Sequence, residues 1–181
     1  MPEIFHFVRR IPYGAAGQRD PRMVYENNVG SCSGKHILLR DLLRKVHFEA
    51  EVVTISTYFN QGVPAHESMP AELRRMIRSE EVLDFHHYVR AREAGGIWLK
   101  LDATWHDRLA GYGFPVNDRW NGAGDSHLAG APIEEYPPVE DVGALKQELL
   151  GKLSVEERDL RSRFFLLLTG WIAGLEGTGR P

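Results

Sequence analysis

Apolar positions along the chain alternate between helical and strand spacing in a readable order. Leu38, Leu39, Leu42, Leu43 and Val46 recur at the three- and four-residue intervals of one buried helix face. They predict a helix over residues 31–46, with Ser31 as its N-cap. Residues 51–59 are rich in Val, Ile, Thr and aromatics and read as a strand. Two more strands, 84–92 and 97–104, flank Glu93-Ala94-Gly95-Gly96, where the glycines make a hairpin the simplest connection. Further helices are predicted over 3–10, 71–79, 142–152 and onward from Ser154, where Glu157 completes a capping box. Residues 22–28 read as irregular or briefly helical, and 64–70 as a loop. Residues 111–138 lack periodicity and are rich in Gly, Pro, Asn and Asp. A loop of that length in a compact domain is often a wall over a site.

Within the hairpin, alternation separates the adjacent histidines. Phe85, His87, Val89 and Ala91 share one face, and His86, Tyr88 and Arg90 the other. On the next strand, Leu99, Leu101 and Ala103 alternate with Trp98, Lys100 and Asp102. Matching the apolar sets turns His87 towards the core and puts His86 on the face of Asp102. A turn centred on Ala94 sets His86 directly opposite Asp102, with β-carbons roughly 5 Å apart. A turn on Gly95-Gly96 shifts that register and brings His87 or Val89 into question.

Length and composition narrow the class. A chain of 181 residues with 43% hydrophobic residues suits one domain, residues 1–181, with a sizeable core. The net charge of −3 argues against nucleic-acid binding through broad phosphate neutralisation. The longest apolar stretch, 164–175, is too short to span a bilayer. The one cysteine cannot form an internal disulfide, and no basic leader precedes an apolar run, so a cytoplasmic location is the expectation.

That cysteine, Cys32, lies in Gly30-Ser31-Cys32-Ser33-Gly34-Lys35-His36, at the start of the leucine-rich helix. A thiol there feels the positive end of the helix dipole, which favours the thiolate. The same placement also suits a small, inert buried residue. Cys32 followed by a strand histidine and a strand aspartate supplies a nucleophile, a base and an orienting group.

Three blocks resemble the transglutaminase-like superfamily of the papain-like thiol-enzyme fold. The first is the Cys32 segment with its helix and the strand through Val53. The second is His86-His87-Tyr88-Val89, similar to the family's His-Ala-Trp-Val strand. The third is Trp98-Leu99-Lys100-Leu101-Asp102-Ala103-Thr104, similar to Trp-x-x-x-Asp-x-Thr. The likeness covers roughly residues 24–122. Matching Tyr88 to the family's aromatic selects His86 as the catalytic histidine. Departures are Tyr88 for Trp, His87 for a small residue, residues 45–49 in place of a Gly-Ile-Pro-like turn, and an insertion-like stretch over 60–82.

The resemblance implies an α+β fold with a papain-like, transglutaminase-like core: a nucleophile helix packed on an antiparallel sheet, with additional C-terminal helices. It implies a Cys32–His86–Asp102 triad that transfers or hydrolyses an acyl group of a peptide, protein or small amide through a thioester. No acidic cluster matches the family's calcium sites, and no cofactor or metal is expected. The backbone N–H of Cys32 is one candidate oxyanion donor; Gln18, Asn27 and Asn28 are others. Tyr13 and Trp120 are candidates to line the site. Two alternatives remain: a non-catalytic binding module on the same fold, and a zinc hydrolase drawing ligands from His86, His87, Asp102, His106 and Asp107. The sequence leaves the oligomeric state open.

Overall fold

The computed structural model describes residues 1–14 and 19–177. Helix α1 (Pro2–Arg10) buries Phe5 and Val8 on its inner face. The segment read as irregular or briefly helical is helix α2 (Pro21–Asn27). Asp20 caps it by accepting from the Arg22 N–H at 2.8 Å, and Pro21 fits its first turn. Helix α3 (Cys32–Lys45) starts where Ser31 predicts, the Ser31 hydroxyl accepting from the Gly34 N–H at 3.3 Å.

Strands β1 (Glu49–Tyr58), β2 (Leu83–Arg92), β3 (Leu99–Leu101) and β4 (Glu134–Tyr136) form one antiparallel sheet in the order β3-β2-β1-β4. Between β1 and β2 lie a short 3-10 turn (Phe59–Gly62) and helix α4 (Ala71–Ser79). Buried Asn60 joins these pieces. Its amide nitrogen donates to the carbonyls of Met76, Ile77 and Glu80, and its oxygen accepts from the Val82 N–H. The insertion-like stretch is thereby tied to the entry of β2. Helices α5 (Val142–Gly151) and α6 (Val155–Gly177) complete the chain, with Ser154 and Glu157 exchanging the two bonds of a capping box.

Leu38, Leu39 and Leu43 of α3 pack on Val52, Val89, Ala91 and Leu101 across one face of the sheet. Leu39 and Leu43 are fully buried, so truncating either to Ala costs about 2–5 kcal/mol. Leu149 and Leu153 meet Phe85. The other face is covered too: Leu128, from the long segment after β3, packs on Val53, Ile55 and Tyr88. Both side-chain sets of β2 are therefore buried, where alternation alone assigns only one to the core.

The hairpin register differs from the expected one. Val89 pairs with Leu101 and Ala91 with Leu99, which centres the turn on Gly95 rather than Ala94. Gly95 has φ +74°, and the Gly96 N–H donates to the Glu93 carbonyl at 2.8 Å. Extending that register sets Tyr88, not His86, across from Asp102. His86 and Asp102 still share a face, because the shift is an even number of residues. The third strand is also shorter than residues 97–104. The Ala103 N–H, next in phase to pair with β2, instead donates to Nε2 of His36 at 2.9 Å. That diversion ends the ladder at Leu101.

The predicted loop 111–138 is not structureless. A 3-10 turn (Asp107–Tyr112) enters it, and β4 within it pairs with β1 from Thr54↔Tyr136 to Ser56↔Glu134. One buried lysine, its pKa lowered to about 7 by burial, ties α1 and the strand exit to α3. Fully buried Lys35 donates to the carbonyls of Arg9 (3.1 Å), Ile11 (2.7 Å) and Thr104 (2.9 Å). Among the described residues, no helix is long and apolar enough to cross a membrane.

Candidate functional site

Cys32 is the first residue of α3, so its own N–H is one of the unpaired donors of the helix start. The residue is only 4% exposed, yet it lines a cavity of about 520 Å³ that it shares with Tyr13, Asp84, Lys146 and Arg161. The sulfur is buried but not sealed.

Two imidazoles from adjacent positions of β2 flank it. His86 directs Nε2 to Oδ2 of Asp102 at 2.7 Å, and both residues are almost fully buried. Its other nitrogen, Nδ1, has no hydrogen-bond partner among the described residues. His87 directs Nδ1 to the Ser33 hydroxyl at 3.2 Å and lies 3.9 Å from Sγ of Cys32 through the same nitrogen. Distance alone points to His87, whereas charge points to His86. The charge argument is stronger, because the Nδ1 of His87 is already engaged by Ser33 and no carboxylate bonds to that ring.

The protonation states follow the same division. Burial pushes the Cys32 thiol up, but the Lys146 ammonium and the His86 imidazole outweigh it and hold the thiol at about 6. Burial works against a charged His86, but Asp102 and the neighbouring sulfur raise it to about 10. Burial and Lys146 both drive His87 well below its ordinary value. At neutral pH this is a thiolate beside an imidazolium, with a second, neutral imidazole against Ser33.

Asp102 is positioned by its own carboxylate bonds. Oδ2 also accepts from the Ala129 N–H at 2.7 Å, and Oδ1 accepts from the Thr104 N–H at 2.9 Å. The Asp102 N–H donates to the Ser126 hydroxyl at 2.7 Å. Burial raises this carboxyl, but the charge and hydrogen bond of His86 hold it well below the usual range. His36, one turn into α3, donates through Nδ1 to the Cys32 carbonyl at 2.8 Å and meets the His86 ring edge-on. Helix α3, the strand exit and the imidazole thus share one hydrogen-bonded frame.

The structure joins His86 to Asp102, puts Nδ1 of the neighbouring His87 3.9 Å from the Cys32 sulfur, and sets Tyr13 on the same cavity wall as Cys32. Burial pushes the Tyr13 phenol well up, and Cys32 adds to the shift, so its hydroxyl keeps its proton and remains a donor. The other candidates fall elsewhere. Trp120 does not line the cavity: it packs against Phe5 of α1 with ring centroids 4.7 Å apart, and its Nε1 donates to the Gly124 carbonyl. Asn28 is exposed in the left-handed conformation that ends α2, outside the thiol cavity. Asn27 is also exposed. Gln18 lies outside the described residues. His106 and Asp107, considered as zinc ligands, bond to Glu176 and Arg9 respectively. Among the described residues, no group of three or more His, Cys, Asp or Glu could hold a metal ion.

Sequence reasoning missed Asp84, Lys146 and Arg161. Lys146 of α5 donates to the Phe85 carbonyl at 2.6 Å and lies 3.6 Å from Asp84 Oδ1. The same oxygen accepts from Nε of Arg161, on α6, at 2.6 Å. Burial raises Asp84, but these two cations hold it far below the ordinary carboxylate range. None of the three stood out in the sequence, since Asp84 heads a strand that also carries His86, His87, Arg90 and Arg92. No family model matches the chain, and no curated protein or solved structure is significantly similar to it.

Proposed function

We propose that this chain is a thiol enzyme that transfers or hydrolyses acyl groups of amides, on a papain-like, transglutaminase-like core. One observation supports the reading: His86 bonds to Asp102 through Nε2, and its buried Nδ1 has no hydrogen-bond partner among the described residues, while this ring and the Cys32 thiol each favour the other's charged form. His87 also keeps a buried nitrogen, Nε2, without a partner among the described residues, so the carboxylate behind His86 is what separates the two rings.

In the proposed cycle the Cys32 thiolate attacks an amide carbonyl carbon. The developing oxyanion takes the Cys32 N–H and the Tyr13 phenol as donors. The tetrahedral adduct collapses with cleavage of the C–N bond, and the His86 imidazolium gives its proton to the departing amine. A thioester remains. Water or an amine then attacks it, His86 takes the proton, and the thiol is released with an acid or a new amide. Asp102 orients the ring and stabilises its charge throughout.

The test is a panel of amide and peptide substrates assayed with and without a labelled primary amine. Turnover in the wild type, reduced by about three orders of magnitude or more in Cys32→Ala, is the expected result. Equal activity in the two proteins would sink the proposal. Incorporation of the label separates amine transfer from hydrolysis.

A further inference from the structure

The cavity beside Cys32 carries more positive charge than chemistry at the sulfur needs. Arg19, Lys146 and Arg161 stand on its wall against one carboxylate, Asp84. Lys146 is engaged internally, by the Phe85 carbonyl and Asp84. Arg161 gives only Nε to Asp84 and lies over the Phe165 ring at 4.8 Å; its two terminal nitrogens make no hydrogen bond to a described residue. Arg19 makes no hydrogen bond or ion pair with a described residue. Oδ2 of Asp84 is buried without a partner among the described residues. Two guanidinium groups with terminal nitrogens that bond to no described residue therefore line one concave space next to the thiol, and their charge outweighs that of Asp84 there. Guanidinium forks match carboxylates, two parallel N–H donors to two oxygens.

We propose that this cavity binds a carboxylate of the acyl substrate between Arg161 and Arg19, with Asp84 fixing Arg161 in place. The substrate class is an amide or peptide that bears a carboxylate, from an acidic side chain or a chain terminus, close to the bond that is cut. This inference rests on the thiol-enzyme reading above and names its substrate class.

The probes are iodoacetate and iodoacetamide, a charged and a neutral alkylating agent of similar size. Rates are measured at pH 7.5 and compared with those of glutathione. In the wild type the iodoacetate-to-iodoacetamide ratio should exceed that of glutathione by about tenfold, the scale of one charge-assisted hydrogen bond. Arg19→Gln and Arg161→Gln should each lower that ratio by roughly threefold or more. Arg158→Gln removes the same charge one turn away on α6, outside the cavity wall, and should leave it nearly unchanged. Arg19 pairs with no described residue, so its variant decides the matter if Arg161→Gln does not fold. Succinate should slow iodoacetate and raise the thermal midpoint of the wild type but not of Arg19→Gln, beyond the effect of sodium chloride at equal ionic strength. A wild-type ratio equal to that of glutathione overturns the proposal. So does an Arg158→Gln effect as large as that of Arg19→Gln, which marks a diffuse field. Iodoacetamide reacting with Cys32 no faster than with glutathione instead counts against the thiol pair itself, and the succinate thermal shift then tests the anion site alone.

Discussion

His86 and His87 are neighbours in the chain, identical in chemistry and equally buried, yet they take opposite charge states. His86 turns to a carboxylate fixed by two backbone N–H groups, and the ring is held protonated. His87 turns to a hydroxyl, with the Lys146 ammonium as the largest charge acting against its protonation, and the ring is held neutral. The pleat of the strand makes the division, since adjacent side chains face different surroundings. Proximity to a sulfur does not identify its proton partner. In the proposed enzyme the partner is the imidazole whose far nitrogen is backed by negative charge.

Each side of this comparison can be broken separately. His86→Ala should have the largest effect on thiol reactivity. Wild-type alkylation by iodoacetamide should rise with pH through about 6, because below that value the thiol is protonated. In His86→Ala the midpoint should move up towards the ordinary thiol value, slowing alkylation at pH 7 by roughly tenfold to a hundredfold. An unmoved midpoint would contradict the pairing.

Asp102→Asn removes the charge behind His86 while keeping its shape. The imidazole proton titration, followed by NMR, should fall from about 10 towards the ordinary histidine range. The amide also replaces an oxygen that accepts a buried N–H, so stability should drop by about 1–3 kcal/mol in urea unfolding. Lys146→Met sharpens the contrast because Lys146 acts on both sides. Its loss should raise the thiol midpoint and at the same time raise the pKa of His87, two shifts in one direction from one substitution. A change in only one of them would break the shared cause. His87→Gln should have the smallest effect on the sulfur, leaving iodoacetamide rates within roughly twofold at pH 7. Its cost belongs to packing and the Ser33 contact, and thermal unfolding would register it.

Much of this site was legible in local patterns. Ser31 as N-cap placed Cys32 at a helix start, and alternation placed His86 with Asp102 on one face. Both depend on near neighbours in sequence, where geometry is fixed by the backbone repeat. The hairpin register was not legible, because choosing between Ala94 and Gly95 as its centre turns on which glycine adopts a positive φ. The end of β3 was hidden for another reason: a helix residue, His36, takes the N–H that would continue the ladder. Trp120 could not be assigned, because an aromatic in a glycine-rich loop carries no sign of whether it faces a cavity or packs, as here, on Phe5. Asp84, Lys146 and Arg161 come from three separate elements, and no spacing rule joins them. Short β4 has too few residues to show alternation.

The Lys35 clamp has a consequence for motion. Its ammonium holds three carbonyls from the end of α1, the following turn and the exit of the hairpin, all from a side chain three residues past the sulfur. Fraying of the amino-terminal helix would therefore strand a buried amino group without its acceptors, so the first eleven residues and Thr104 should open to solvent exchange as one cooperative unit rather than segment by segment.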